Sequence, residues 1–142
     1  MSSLLAAGVA FLSSPLRVFA EWNKKAFTDK KMEDAIQSYF GTGEITPSDQ
    51  VKLKAADIAE NGAVVPVTVS SDMENIDDIA IVVENNPSPL AAAFQFTPVV
   101  SPQISTRIKM GKTSNVHAIV RSNGKLYSTS KEVKVTIGGC GG

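Results

Sequence analysis

Apolar residues recur at about every second position from Val51 to Ile137, which is the spacing that puts them on one face of an extended strand. The repeat predicts eight strands, at residues 51–54, 64–69, 79–83, 93–97, 104–110, 115–121, 126–129 and 132–137. Turn residues separate them, notably Asn61-Gly62, Asn86-Pro87, Pro98, Gly111 and the hairpin pair Asn123-Gly124. Short strands with no helix between them favour an antiparallel β-sandwich over a parallel sheet.

Two strands carry further information. Pro66 has no N–H to donate to a neighbouring strand, so the strand that contains it is predicted to lie at a sheet edge. In the last strand Val133, Val135 and Ile137 alternate with polar residues, which predicts one face anchored in the core as far as residue 137.

A single amphipathic helix is predicted before the strands. Its apolar positions recur at helical spacing and are Met32, Ala35, Ile36, Tyr39 and Phe40. Thr28 or Asp29 is the expected N-cap, and Gly41 is the expected stop. Trp22 and Phe27 are expected to pack beside this helix. The alternative interpretation is that Trp22, Tyr39 and Phe40 form part of a partner surface.

Residues 1–20 differ in character from the rest of the chain. Leu4 to Leu12 is an apolar run of nine residues, and Val18-Phe19-Ala20 matches the positions that a signal peptidase reads. We therefore expect an export signal at 1–20, cleaved between Ala20 and Glu21. Since roughly twenty apolar residues are needed to span a bilayer, a permanent anchor is not expected.

The composition excludes several classes of function. With 14 basic and 14 acidic residues, the 142-residue chain has no positive surplus for a phosphate backbone, so no nucleic acid partner is expected. One cysteine cannot form an internal disulfide, and with one histidine it cannot supply a structural zinc site. His117 lies in an alternating stretch and is expected to have a surface or packing role. Neither a metal nor a cofactor is predicted.

The last five residues are Gly138-Gly139-Cys140-Gly141-Gly142, which place the cysteine on a glycine tether. Glycine permits a wide range of backbone angles, so this tail is predicted to be a flexible arm that can enter narrow clefts. The three residues from Ile137 to Cys140 reach roughly 10 Å when extended. An unperturbed thiol, of pKa about 8.5, is only about 3% thiolate at pH 7. The tail therefore indicates a carrier activated by other proteins, and not an enzyme.

In addition to the terminal pentapeptide, several stretches of the chain match a known family. They are residues 60–67 (ENGAVVPV), 86–92 (NPSPLAA), 105–116 (STRIKMGKTSNV) and 131–137 (KEVKVTI). Together they resemble the SoxY family of sulfur-oxidation carriers over most of the chain after residue 21. The resemblance implies an immunoglobulin-like β-sandwich with an N-terminal helix, so 21–137 is the expected carrier domain and 138–142 the arm.

The resemblance also implies a function. In that family the cysteine matching Cys140 carries thiosulfate-derived intermediates as covalent adducts in the periplasm, and the flanking Gly138, Gly139, Gly141 and Gly142 form a swinging arm. A SoxZ subunit completes a heterodimer. A haem enzyme that couples thiosulfate, a metal-dependent hydrolase that releases sulfate and a sulfur dehydrogenase dock transiently.

The export route and two other classes of function stay open. SoxY-like precursors usually carry a twin-arginine signal, and no Arg-Arg pair occurs here, so either a start upstream of Met1 or co-export with a partner is expected. The terminal Gly141-Gly142 could instead form a thiocarboxylate, although an export signal argues against that cytosolic chemistry. Alternatively, the domain is a structural or adhesive sandwich whose tail cysteine links two chains.

Overall fold

The computed structural model describes residues 24–99 and 101–137. Within them a helical turn at residues 24–28 precedes helix α1, Met32–Phe40, and nine strands follow. The strands are β1 Ile45–Pro47, β2 Val51–Ala55, β3 Ile58–Ala59, β4 Val65–Ser71, β5 Ile76–Val83, β6 Leu90–Val99, β7 Gln103–Ile108, β8 Ser114–Ser122 and β9 Lys125–Val135. The predicted signal, its cleavage site at Ala20 and Glu21, and the arm lie outside the described residues.

The strands form two sheets. The larger has the order β1-β9-β8-β5-β6, with β3 also paired to β9, and the smaller has the order β2-β4-β7. The main core lies between the sheets and is built from alternate residues of their strands, among them Val67, Val69, Ile79, Ile81, Val116 and Val120. Each such side chain stabilises the fold by about 1.5–3 kcal/mol when fully buried. The predicted all-β sandwich is confirmed.

Helix α1 covers the other face of the larger sheet. Its buried residues Ala35, Ile36 and Phe40 belong to a second apolar cluster that contains Ala80, Val82, Leu90, Ile119 and Leu126 of the sheet. Gly41 ends the helix as predicted, with a left-handed φ of 79° and its N–H donating to the carbonyl of Gln37 at 2.9 Å. No helix among the described residues is long and apolar enough to cross a membrane.

The beginning of α1 differs from the prediction. Its N-cap is Lys31, whose side chain makes no capping hydrogen bond. Thr28 Oγ1 instead lies 3.1 Å from the carbonyl oxygen of Lys25, one turn back. Asp29 accepts hydrogen bonds from Ser38 Oγ at 2.6 Å and Lys25 Nζ at 2.9 Å. The two predicted caps therefore close the preceding turn and fasten it to α1.

The predicted strands at 126–129 and 132–137 are one strand. β9 pairs with β8 without interruption, from Lys125 opposite Ser122 to Val133 opposite Ser114, so its polar middle does not break it. β9 ends at Val135. Val133 is fully buried, but Ile137 is 67% exposed, so the core face does not extend to residue 137 as predicted.

Two short strands were not predicted from the sequence. β1 and β3 contain three and two residues, too few to show a repeat, and both pair in parallel with β9. The larger sheet is therefore mixed, while every other pairing in the two sheets of the described residues is antiparallel.

Pro66 does not mark an edge strand. It lies in β4, the central strand of the smaller sheet. The pairing of β4 with β2 ends at Val67, opposite Ala55, so Pro66 lies just beyond the last residue that has a partner on that side. The edge prediction is wrong because it overlooked that the two strands differ in length.

The predicted hairpin at Asn123-Gly124 is confirmed. It joins β8 to β9 between the paired residues Ser122 and Lys125. Both turn residues have positive φ, 50° and 78°, as a two-residue type I′ turn requires. This turn sets the register of β9, the strand that leads towards the arm.

Candidate functional site

Cys140 and the flanking Gly138, Gly139, Gly141 and Gly142 lie outside the described residues. The structure describes the chain up to Ile137, the residue immediately before them. The candidate site is therefore built from two segments, which we call the arm base, residues 134–137, and the supporting segment, residues 57–64.

Backbone hydrogen bonds fix the arm base to the supporting segment at the end of β9 and just beyond it. They comprise Lys134 N to Asp57 O at 2.9 Å, Thr136 N to Ala59 O at 3.1 Å and Gly62 N to Ile137 O at 2.8 Å. Thr136 Oγ1 also donates to the carbonyl of Glu60 at 3.2 Å. The chain is therefore held in place as far as the residue that precedes the glycines.

Asn86 supports this arrangement from the adjoining loop. Its side chain is buried and bridges residues 109–111. Asn86 Nδ2 donates to the carbonyl of Lys109 at 2.7 Å, and Asn86 Oδ1 accepts a hydrogen bond from the N–H of Gly111 at 3.0 Å. Between them, Met110 N donates to the carbonyl of Gly62 at 2.7 Å. Since Gly62 N donates to Ile137, a continuous set of hydrogen bonds joins Asn86 to the arm base.

The hydrogen bonds of the arm base join neutral groups. The N–H of Val135 donates to Thr113 Oγ1 at 2.9 Å. The remaining hydrogen bonds, given above, join one backbone group to another or join the Thr136 hydroxyl to a backbone carbonyl. One ion pair lies on the flank of the supporting segment, where Lys131 Nζ is 3.0 Å from Asp57 Oδ1. The Asp57 side chain is largely exposed, and such surface pairs contribute about 0–1 kcal/mol. The geometry of the arm base therefore does not depend on a titrating group.

The structure places His117 away from the arm base. His117 lies opposite Ser130 of β9, seven residues before Ile137, which is about 20 Å along an extended chain. Its Nε2 is 3.1 Å from Glu84 Oε2. This hydrogen bond, followed by one from Asn115, lowers the pKa of the Glu84 carboxyl. His117 therefore takes part in a surface contact, as the sequence predicts.

A polar cluster that the sequence analysis missed joins α1 to the larger sheet. Tyr39 Oη donates to Asp78 Oδ1 at 2.8 Å, and Arg121 Nε lies 3.6 Å from Asp78 Oδ2. Arg121 also donates to the carbonyl of Phe40 at 3.2 Å and stacks over its ring. Burial raises the pKa of Asp78, and the bond from Tyr39 and the charge of Arg121 oppose that rise. The sequence signal was the pair Asp77-Asp78 in an otherwise apolar strand.

This cluster bears on the alternative in which aromatic residues of α1 form a partner surface. Phe40 is buried, and the Tyr39 hydroxyl is bonded to the chain's own sheet. Both residues therefore serve the attachment of α1, while Trp22 lies outside the described residues. In the described part of the chain, no group of three or more histidine, cysteine, aspartate or glutamate residues is placed to hold a metal ion.

Comparison with known proteins decides the family. A family model described as sulfur oxidation protein SoxY matches residues 36–140, most of the chain, and the match ends at Cys140. The chain belongs to the SoxY family. A search of curated protein sequences gave no match.

Among solved structures, the SoxY sulfur carrier protein from Chlorobium limicola f thiosulfatophilum is 43% identical. The match has a TM-score of 0.68 and covers 80% of this chain and 99% of that one. A superoxide reductase (neelaredoxin) from Archaeoglobus fulgidus is 16% identical with a TM-score of 0.48, and the match covers 59% of this chain and 86% of that one. The SoxY match confirms the resemblance drawn from the sequence.

Membership of the SoxY family gives the chain a sulfur-oxidation carrier role, in a family of carrier proteins. Two stretches that carried the resemblance meet at the arm base. Residues 60–67 contain Gly62, whose N–H donates to the carbonyl of Ile137, and residues 86–92 begin with Asn86. The sequence showed these stretches as similarities, and the structure shows that they position the end of β9.

Proposed function

We propose that the chain is a periplasmic carrier that holds thiosulfate-derived intermediates on Cys140 and presents them to partner enzymes. The match to the SoxY family, which extends to Cys140, carries this proposal. The arm base supports it, because a support fixed as far as Ile137 gives the sulfur a defined origin. From that origin a three-residue tether reaches roughly 10 Å, enough to enter a cleft in another protein.

The cycle requires four steps on the sulfur. Oxidative coupling joins thiosulfate to the thiol through a new S–S bond, releasing one proton and two electrons to a haem enzyme. Hydrolysis of the outer S–S bond by a metal-dependent hydrolase releases sulfate and leaves a persulfide. A sulfur dehydrogenase oxidises the outer sulfur to a sulfonate with three waters, removing six electrons and seven protons. A second hydrolysis releases sulfate and restores the thiol.

Activation of the sulfur is assigned to the partner enzymes. No histidine, lysine or arginine occurs in the terminal pentapeptide, and His117 lies about 20 Å from Ile137 along β9. A thiol of ordinary pKa needs a cation or base to become an effective nucleophile. The carrier therefore supplies the attachment point and its delivery, and the enzymes supply the catalytic groups.

We further propose a SoxZ-like subunit as the stable partner, held by a largely apolar interface. Among the described residues, β6 and β7 are outer strands of their sheets; β6 has no charged residue, and Arg107 is the one charged residue of β7. Unpaired edges with few charges favour association with another protein. Co-expression followed by size-exclusion chromatography tests this, because dissociation in high salt would contradict an apolar interface.

Mass spectrometry of the C-terminal peptide after growth on thiosulfate tests the carrier function. Added sulfur on the Cys140 thiol is the expected result. Sulfur on the Gly142 carboxylate would indicate a thiocarboxylate carrier instead. Unmodified peptide together with Cys140-linked chains would indicate a structural module with a disulfide-linking tail.

The periplasmic location has its own test. N-terminal sequencing of protein from the native periplasm is expected to begin at Glu21 or close to it. Soluble protein that retains Met1 would contradict a cleaved signal at 1–20.

A further inference from the structure

Exposed apolar side chains are concentrated on the arm base and the supporting segment. Among the side chains that the structure describes, four large hydrophobic ones are exposed, and three lie on the arm base or the supporting segment. These are Ile58, Val64 and Ile137, at 55%, 49% and 67% exposure. The fourth, Phe27, is in the helical turn before α1. Single exposed hydrophobic residues are ordinary, but a group of them marks an interaction surface.

Backbone pairing places the two segments that carry these three residues side by side. Ile58 is the β3 residue opposite Lys134 at the start of the arm base. Val64 follows the turn in which Gly62 donates to the carbonyl of Ile137, and its own N–H donates to Asn61 at 3.2 Å. Each of the three therefore lies at, or within two residues of, a bond that joins the two segments.

The length of the arm determines what meets this surface. Cys140 is three residues beyond Ile137, a reach of roughly 10 Å. An enzyme that encloses the sulfur must therefore bring the entrance of its channel to within that distance of Ile137. The surface around the entrance then lies against the arm base, whichever enzyme is docked.

We propose that Ile58, Val64 and Ile137 form an apolar collar that binds an apolar rim around the active-site channel of each enzyme that receives Cys140. This inference rests on the proposed carrier function. The collar side chains are uncharged, so their contribution does not change with the charge of the cargo. Three aliphatic side chains form a small contact, which suits encounters that must end after each step.

The collar is tested in the full carrier complex by the triple variant Ile58→Thr/Val64→Thr/Ile137→Thr. Threonine keeps β-branching, so the extended backbone is retained while apolar surface is lost. In a reconstituted thiosulfate-oxidation assay the KM for the carrier is expected to rise about tenfold, with kcat within about twofold of wild type. The rate at which a small maleimide modifies Cys140 is expected to stay unchanged.

Phe27→Thr is the matched control, since it removes the exposed apolar side chain that lies on another element. Its KM is expected to equal that of wild type. The single variant Ile137→Thr keeps the test valid if the triple variant unfolds, because residue 137 lies beyond the end of β9. Its KM for the carrier is expected to rise about twofold to threefold.

The possible failures are distinguishable. An unchanged KM in folded triple and single variants would overturn the collar and leave the carrier function standing. Dissociation of the stable subunit by the triple variant would overturn it too, because the patch would then be a subunit interface. Absence of wild-type turnover and of any adduct on Cys140 would overturn the carrier function itself.

Discussion

The arm base and the attachment of α1 are both fastened to the larger sheet by hydrogen bonds, but the groups involved differ. At the arm base the donors and acceptors are backbone groups and threonine hydroxyls, all neutral. The attachment of α1 uses a carboxylate, a phenol and a guanidinium that are partly buried. The difference indicates that pH acts on the stability of the α1 contact, whereas the point where the arm leaves the domain keeps its geometry.

The largest effect is expected when the arm is stiffened while the arm base is left intact. Gly138→Pro/Gly139→Pro fixes φ near −65° at two positions and adds rings that a narrow channel would have to admit. The stability cost should be small because the changes lie beyond the last strand. Turnover in a reconstituted system should fall at least about tenfold, while a small maleimide should react at nearly the wild-type rate.

Cys140→Ser is the control for the stiffened arm, since it should lose both maleimide reaction and turnover. Normal turnover by the proline variant would show that delivery does not depend on a flexible arm.

The arm base itself is tested through Asn86. Asn86→Ala leaves the carbonyl of Lys109 and the N–H of Gly111 without their buried partner, which should cost about 2–3 kcal/mol in the free energy of unfolding. Urea denaturation measures this cost. Hydrogen exchange of the Gly62 and Met110 amides should also accelerate, because the hydrogen bonds that these amides donate involve the loop that Asn86 holds in place.

The neighbouring Asn85 provides the matched control. Its side chain is exposed and donates to the carbonyl of Thr113 at 3.1 Å, so Asn85→Ala should cost less than about 1 kcal/mol. Equal losses in the two variants would mean that Asn86 has no special part in holding the arm base.

The attachment of α1 should show a pH dependence that the arm base lacks. Burial raises the pKa of Asp78 above 3.8, so the folded state keeps its proton to a higher pH than the unfolded state. The contribution of Asp78 to stability is therefore largest below pH 3.8 and declines as pH rises through the folded pKa. Asp78→Asn should remove this decline in urea unfolding measured across that range.

Tyr39→Phe serves as the comparison. It deletes the bond to Asp78, should cost about 1 kcal/mol, and should keep the decline with pH. A wild-type profile identical to that of Asp78→Asn would contradict the raised pKa.

The smallest effect is expected at Glu84, on the exposed surface. Its pKa is lowered below 4.5 by the bond to His117, so its contribution is present above pH 4.5 and is lost as pH falls through the lowered value. The change of stability with pH that Glu84 causes is therefore opposite in sign to the change that Asp78 causes. Glu84→Gln should remove it, at a cost of less than about 1 kcal/mol since the pair is exposed to solvent. A carboxyl titration of Glu84 by NMR measures the pKa directly.

The fold could be predicted wherever residues repeat locally. Alternation located β2, β4 and β8, and Asn123-Gly124 specified the hairpin into β9. β1 and β3 could not be predicted because they exist only as partners of β9, and two or three residues carry no repeat. The edge position predicted from Pro66 was wrong because the length of the neighbouring strand β2, and not the proline, determines where the pairing with β4 ends.

The site was predictable only in part. The terminal pentapeptide is visible in the sequence, and the resemblance gave the role that we propose for Cys140. The hydrogen bonds from Asn86 through Met110 and Gly62 to Ile137 join four stretches that are far apart in the sequence. Nothing local predicts such a network, although its members fall within or beside stretches that resemble the family.

The position of β9 inside its sheet has a mechanical consequence. It is bonded to β8 on one side and to β1 and β3 on the other. Hydrogen bonds in a sheet run across the strands, so a pull along β9 loads all of them together in shear. In the proposed carrier cycle, an enzyme that pulls on Cys140 along β9 therefore loads these hydrogen bonds together, and β9 is not separated from its neighbours one bond at a time.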